Sequence, residues 1–169
     1  MAFTVQPQDL LILYGLLALF FYDPTRSSRK RMVAFYTTIQ RRIPGAPRNP
    51  AIFGIAWTML YALMATSVFL LYAERADVHP WAAYSCFALV GGILLLSKAW
   101  TTLFFDLRLF ALALADLLGM LLCVVAYVVV VALSDPAYVP GCVVPAILMA
   151  PTIAWLLFAG YLNAATLLL

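Results

Sequence analysis

The sequence predicts an all-α protein, an integral membrane bundle of five transmembrane helices that forms a single domain over residues 1–169. Two observations carry this expectation. The chain is 66% hydrophobic and only 10% charged, with a mean hydropathy of +1.03. A soluble domain of this size cannot hide so much apolar surface, whereas a bilayer removes the need to. The charges also gather into short segments that separate long uncharged ones. The clearest of these, residues 50–73, holds 24 residues without a charge. As a helix it would run roughly 36 Å, enough to cross a hydrocarbon layer of about 30 Å with some tilt.

The first predicted span, residues 8–22, is built on the 13-residue apolar run from Leu10 to Tyr22, closed by Asp23-Pro24. The residues before it contain no Lys or Arg and no small-residue cleavage site, so they read as an interfacial lead-in and not as a secretory signal. Residues 23–48 form the longest polar connection and carry seven of the ten basic residues: Arg26, Arg29, Lys30, Arg31, Arg41, Arg42 and Arg48. Between its two basic clusters, Met32 to Ile39 is apolar enough for a short surface helix, and Pro44, Gly45 and Pro47 then break the chain. Nucleic-acid binding is one reading of such a cluster. Its position between spans favours another, a topological anchor facing anionic headgroups.

The second span, 50–73, opens with Asn49 as a helix cap and Pro50 in the first turn, where a missing N–H costs nothing. A tight polar turn leads to the third span, 81–105, which has Trp81 at one interface and Lys98 near its far end. Asp106-Leu107-Arg108 turns the chain into the fourth span, 109–133. The fifth, 142–168, contains Pro145 and Pro151, which should bend it. The 1–2 connection and the 3–4 turn hold eight Lys/Arg, whereas the N-terminus and the other two connections hold Arg75 alone. The positive-inside rule then puts the N-terminus outside and the C-terminus on the cytosolic side.

Phe53, Trp57 and Tyr61 stand four residues apart in the second span and so form one ridge of rings along a helix face. The plainer reading of such a ridge is helix packing. The other is a surface for a flat ligand. Cys86, Cys123 and Cys142 have no short spacing and read as small buried hydrophobes, and the single histidine, His79, lies in a connection. No metal site, catalytic acid–base pair, nucleophile pair or phosphate loop is evident.

Three ordered blocks resemble the translocator protein/tryptophan-rich sensory protein (TspO/MBR) family. Trp57-Thr58-Met59-Leu60-Tyr61 followed by Met64 is similar to its W-T-x-L-Y-x-x-M motif, with Phe35-Tyr36 and Ile39 upstream similar to W-Y-x-x-L. Ala99-Trp100-Thr101-Thr102-Leu103-Phe104-Phe105 resembles A-W-S/T-P-L-F-F, continued by Leu107-Arg108 and by Leu112 to Asp116. Pro151, Trp155 and Phe158 to Asn163 resemble the fifth-helix signature. There are departures: Ser97 stands where the family usually has Asn, Thr102 where it has Pro, and Ile55 where Pro is frequent. No Lys or Arg follows Tyr161, so the C-terminal cholesterol-recognition pattern is missing.

The resemblance implies a receptor or transporter-like membrane protein that binds tetrapyrroles such as porphyrin, or other planar lipophiles such as sterols, inside the bundle. A weak light-dependent degradation of porphyrin would make it marginally an enzyme. The implied ligand residues are Phe53, Trp57, Tyr61, Trp100, Phe104, Trp155, Phe158 and Asn163. No cofactor is obligatory, and porphyrin is the implied ligand. Asp116 reads either as a ligand-orienting group or as an interhelical hydrogen-bond partner. Lys98 and Arg108 could each meet a propionate or simply reach the headgroups. Ala88 and Gly92 form a small-xxx-small pair that would permit a homodimer through the third span. The implied host membrane is mitochondrial, with bacterial or plastid membranes as alternatives. The departures keep a second function open, a ligand-poor structural accessory subunit of a larger membrane assembly.

Overall fold

The structure, a computed structural model, describes residues 29–73, 80–133 and 139–169, with a few single positions before them. Among the continuously described residues five α-helices follow one another: α1 (Arg29–Ile39), α2 (Ala51–Ala73), α3 (Pro80–Thr101), α4 (Phe110–Leu133) and α5 (Val139–Leu167). No strand occurs among the described residues. Four of these helices, α2 to α5, are long and apolar enough to cross a membrane. The predicted first span lies outside the described residues apart from Gln8, Leu11, Ile12, Gly15 and Ala18, which are helical. The connections at 74–79 and 134–138, with His79, also lie outside them.

The helix ends follow local chemistry. Asn49 caps α2 as expected, its Oδ1 accepting from the Ala51 N–H at 2.9 Å. The helix that carries the fifth span starts at Val139, with Pro140 in a first turn that needs no N–H from it, and its membrane-spanning part begins at Val143, close to the expected 142. Both Pro145 and Pro151 are then accommodated within continuous helix. Between α3 and α4 the chain makes a single π-helical turn, Thr102–Asp106, closed by Leu107 N–H to Thr102 O (3.0 Å) and Leu109 N–H to Leu103 O (2.9 Å). Arg108 completes this hinge at φ +56°, a left-handed conformation that costs a non-glycine residue about 1–3 kcal/mol unless its surroundings fix it.

α4 is the centre of the bundle and packs on α3 to one side and α5 to the other; α2 lies against α5 and touches α3 more sparsely. Contact with α3 is close where glycines permit it. A Cβ on Gly119 would lie 3.4 Å from Leu96 Cδ1, and one on Gly92 would lie 3.7 Å from Cys123 Sγ. Gly92 therefore serves α4 of its own chain, while Ala88, its small-xxx-small partner, is exposed. Met64, Ala65, Met120, Val124, Tyr127 and Met149 have no exposed surface and form the core. Leu95, Leu122 and Ile147 are 75%, 70% and 61% exposed, a distribution that suits hydrocarbon and would make a water-soluble protein aggregate.

A buried hydrogen-bonded chain crosses this core. Ser67 Oγ donates to Pro145 O at 2.8 Å, which leaves the Tyr127 hydroxyl, 2.8 Å away, to donate to Ser67. Three helices are thereby tied at one point. Tyr127→Phe keeps the ring and removes that donor. It should lower unfolding free energy in detergent by about 0.6 kcal/mol, and at most about 1.7, the range for hydrogen bonds between membrane helices. A denaturant titration of the purified protein checks this, and a loss above about 3 kcal/mol would mean that Tyr127 does more than donate.

Candidate ligand site

The aromatic residues of α2, α3 and α5 converge beneath α1, which lies across one end of the bundle. The ridge of α2 divides. Phe53 turns toward α5, with its ring centroid 5.7 Å from that of Trp155, while Trp57 turns toward α3, 6.4 Å from Trp100. Trp155 continues to Phe158 (5.6 Å), and Trp100 stacks on Phe104 (5.3 Å, 21° between planes). Trp57 and Tyr61 lie 5.3 Å apart.

The two arms are joined by consecutive residues of α1. Tyr36 packs edge-on against Phe53 at 4.8 Å. Phe35 enters the α3–α4 hinge, stacked on Phe110 (5.9 Å, 11°) and edge-on to Phe104 (6.0 Å). Tyr36 and Ile43 are buried, so the segment closes the end of the bundle as a plug. Its position is fixed by hydrogen bonds from the Tyr36 hydroxyl to Pro47 O and from the Tyr161 hydroxyl to Pro44 O, both 2.9 Å. Burial pushes the Tyr36 phenol above its ordinary 10.0, so it remains a protonated donor at physiological pH.

The polar groups of this cluster are unequally satisfied. Tyr61 donates weakly to Ser97 Oγ at 3.3 Å, and Ser97 donates to Leu94 O at 2.8 Å. Lys98 Nζ lies 5.4 Å from the Tyr61 ring centroid, and the Arg108 guanidinium lies 5.1 Å from that of Phe35. By contrast, the indole N–H groups of Trp100 and Trp155 are buried with no acceptor, and Asp116 Oδ2 and Thr152 Oγ1 are buried with no partner. The facing pairs Gly92/Cys123 and Leu96/Gly119 run antiparallel, and continuing that register by one turn brings Trp100 level with Ala115, the residue before Asp116. An unpaired donor and an unpaired acceptor thus lie within one residue of the same level. Each such buried group costs about 1–3 kcal/mol.

Of the eight residues expected to hold ligand, seven belong to this cluster, all linked by ring contacts, with Tyr61 reaching Ser97 as well. Asn163 is placed differently. With its amide oriented to suit its neighbours, Nδ2 donates to Phe110 O (3.1 Å) and Oδ1 accepts from Leu114 N–H (2.9 Å), so it clasps the first turn of α4. Tyr36 and Phe35 are the residues that the site gains. Their family-like motif was visible in the sequence, but not the fact that adjacent residues of one short helix reach different arms.

The sequence profile of the TspO/MBR family matches residues 10–169, nearly the whole chain. The chain belongs to the TspO/MBR family. Among curated proteins, no sequence matches it. Membership, together with four helices able to cross a bilayer, makes it an integral membrane protein of a ligand-binding kind. No cluster of His, Cys, Asp or Glu able to hold a metal occurs among the described residues.

Two adjoining cavities, of about 590 and 290 Å³, open on the other side of Phe35. None of the eight expected ligand residues lines either of them. In the TspO/MBR-type aromatic cluster Trp100 and Phe104 are buried, while Phe53, Trp57, Tyr61, Trp155 and Phe158 are partly exposed and packed ring against ring. The role of Asn163 can be separated from ligand contact. Asn163→Ala should lower the thermal unfolding midpoint in detergent by several degrees, from a lost interhelical clasp worth about 1 kcal/mol. It should change affinity for protoporphyrin IX less than twofold, and a larger loss of affinity with unchanged stability would return Asn163 to the ligand shell.

Proposed function

We propose that the protein binds a planar lipophilic ligand, a tetrapyrrole or a sterol-like molecule, among Phe53, Trp57, Tyr61, Trp100, Phe104, Trp155 and Phe158. The observation that carries this reading is the pair of buried, unpartnered indole N–H groups of Trp100 and Trp155, one in each arm. Native interiors seldom leave strong donors unpaired. A ligand that brings acceptor atoms into the cluster would satisfy them, and the rings on both sides supply faces for stacking. The unpartnered Trp100 N–H and Asp116 Oδ2, on neighbouring helices, suit a group that both accepts and donates, such as a hydroxyl or a protonated carboxyl. Light-dependent degradation of a bound porphyrin, with molecular oxygen as the oxidant and the neighbouring indoles taking part, belongs to the same proposal.

The close packing of these rings favours a second reading, in which the cluster is structural and the chain serves as an accessory subunit of a larger membrane assembly. Absorbance and fluorescence titration of the purified protein with protoporphyrin IX separates the two. Binding should be saturable at micromolar concentrations and should quench tryptophan emission. Trp57→Phe and Trp155→Phe should each weaken it about two- to tenfold, the loss of a stacking contact worth about 0.5–1.5 kcal/mol. Photobleaching should fall more steeply than affinity. Unsaturable binding, or variants that change neither readout, leaves the accessory-subunit reading.

The proposed orientation places α1 and the α3–α4 hinge at the cytosolic surface. It is supported by the shared location of Arg108 and Phe35, which brings both basic connections to one end of the bundle. A cysteine introduced at Ser27 should react with an impermeant maleimide from the cytosolic side, and one introduced at Asp77 only from the other. Labelling of both from one side would overturn the orientation.

A further inference from the structure

We propose that the recess between α1 and the α3–α4 hinge binds the phosphate headgroup of an acidic glycerophospholipid. The two cavities share Phe35 and Thr38, so they adjoin along the side of α1 that faces the hinge and the first turn of α4. Arg108 lines the larger part and Arg42 the smaller. Among the described residues neither arginine has a carboxylate partner within ion-pair distance. The side chain of Arg108 is placed by two features that hydration alone would not produce. Its backbone is locked at φ +56° by the hinge, and its guanidinium lies over the Phe35 ring. An arginine whose plane is fixed against an aromatic face keeps its remaining N–H edges directed outward, the arrangement suited to two phosphate oxygens.

The surroundings decide between a lipid and a soluble phosphate. Leu169, which lines the smaller cavity, is 55% exposed, and Leu107 and Leu109, on either side of Arg108, are 56% and 44% exposed. The recess thus runs from two cationic groups onto apolar surface that faces hydrocarbon. A free ion would use only the first of these, whereas a phospholipid uses both, with its phosphate at the arginines and its chains along the helices. Asp106 also lines the larger cavity, and its carboxylate would accept from a headgroup hydroxyl. The headgroup is therefore of the glycerol type, with donors beyond the phosphate. Because Phe35 belongs to both the recess and the aromatic cluster, bound lipid would hold α1 against the hinge. This inference is independent of porphyrin binding.

The test compares the full-length protein in nanodiscs of phosphatidylcholine alone and with one-fifth phosphatidylglycerol, followed by native mass spectrometry of the lipid retained after release. Wild type should retain phosphatidylglycerol in preference to phosphatidylcholine. Arg108→Gln and Arg42→Gln should each reduce that retention about fivefold. Arg41→Gln removes the same charge from the neighbouring exposed position outside the recess, and should leave retention within twofold of wild type. Folding of each variant is read from its elution profile and helical circular dichroism, and Arg42→Gln, on an exposed turn, stands in if Arg108→Gln fails to fold. Equal loss in all three variants would overturn the proposal in favour of diffuse surface charge. Absence of a phosphatidylglycerol preference in wild type would also overturn it. Displacement of the lipid by millimolar inorganic phosphate would assign the site to a free anion instead.

Discussion

Inside a hydrocarbon layer apolar side chains gain little by leaving lipid, so this bundle depends on specific close contact, and most of it is made by α4. The contacts are distributed along that helix with a regularity set by its pitch. Asn163 clasps the backbone at Phe110 and Leu114, Gly119 receives Leu96, Cys123 fills the space left by Gly92, and Tyr127 completes the hydrogen-bonded chain through Ser67 to Pro145 O. The first and last of these use polar groups that lipid cannot satisfy, and the middle two use glycines that let backbones approach. Both devices give van der Waals or hydrogen-bond energy unavailable in the separated helices. The neighbours α3 and α5 are thereby held to one frame, and the aromatic residues they carry inherit their positions from it.

The second dependency runs through α1. Two adjacent residues of a helix point roughly 100° apart. Phe35 and Tyr36 use that angle to address the α3 and α5 arms of the cluster at the same time. Movement of α1 would withdraw Phe35 from the hinge and Tyr36 from Phe53 together. The short helix is thus more than a topological anchor. Its aromatic pair couples the end of the bundle to the packed rings below. The positive φ of Arg108 belongs to the same coupling, because the strained hinge fixes both the arginine over Phe35 and the first turn of α4.

Much of this architecture is legible in the sequence because a bilayer imposes a simple demand on length and polarity. An uncharged stretch of 24 residues after Asn49 admits few alternatives to a capped spanning helix, and α2 is that helix. The breaks at Asp106 to Arg108 and at residues 134–141 are equally plain, although the N-terminal limit of α5 falls earlier than its composition suggests. Site residues are legible as a set but not in their relations. The four-residue spacing of Phe53, Trp57 and Tyr61 predicts one ridge and says nothing of its being divided between two neighbouring helices. Gly92 illustrates the opposite failure. Its spacing from Ala88 is compatible with a partner chain or with α4, and only the three-dimensional arrangement shows Cys123 at 3.7 Å. For Asn163, a polar residue in an apolar span signals a partner, but the signal does not distinguish a ligand from the backbone of the next helix.

The three departures from the family pattern differ in where they fall. Ile55 is 60% exposed on α2, on the side away from the rings, so replacing a frequent proline there alters a lipid-facing surface. Thr102 opens the π-helical turn, and its carbonyl accepts from Leu107 N–H. Unlike proline, threonine there retains a backbone N–H, which alters the hinge and reaches the cluster only indirectly. Ser97 alone lies within the site, 2% exposed and within reach of the Tyr61 hydroxyl. Serine is shorter than the usual asparagine and lacks its amide, so it presents one hydroxyl, already donated to Leu94 O. It offers the Tyr61 hydroxyl a weak 3.3 Å contact, and the indole N–H of Trp100, one turn further along α3, has no acceptor. The Ser97 departure therefore falls on the polar side of one arm of the cluster and leaves its rings in contact. A site altered in this way is less suited to a ligand read through amide hydrogen bonds and remains suited to one held by stacking, with its own acceptors directed at the indoles.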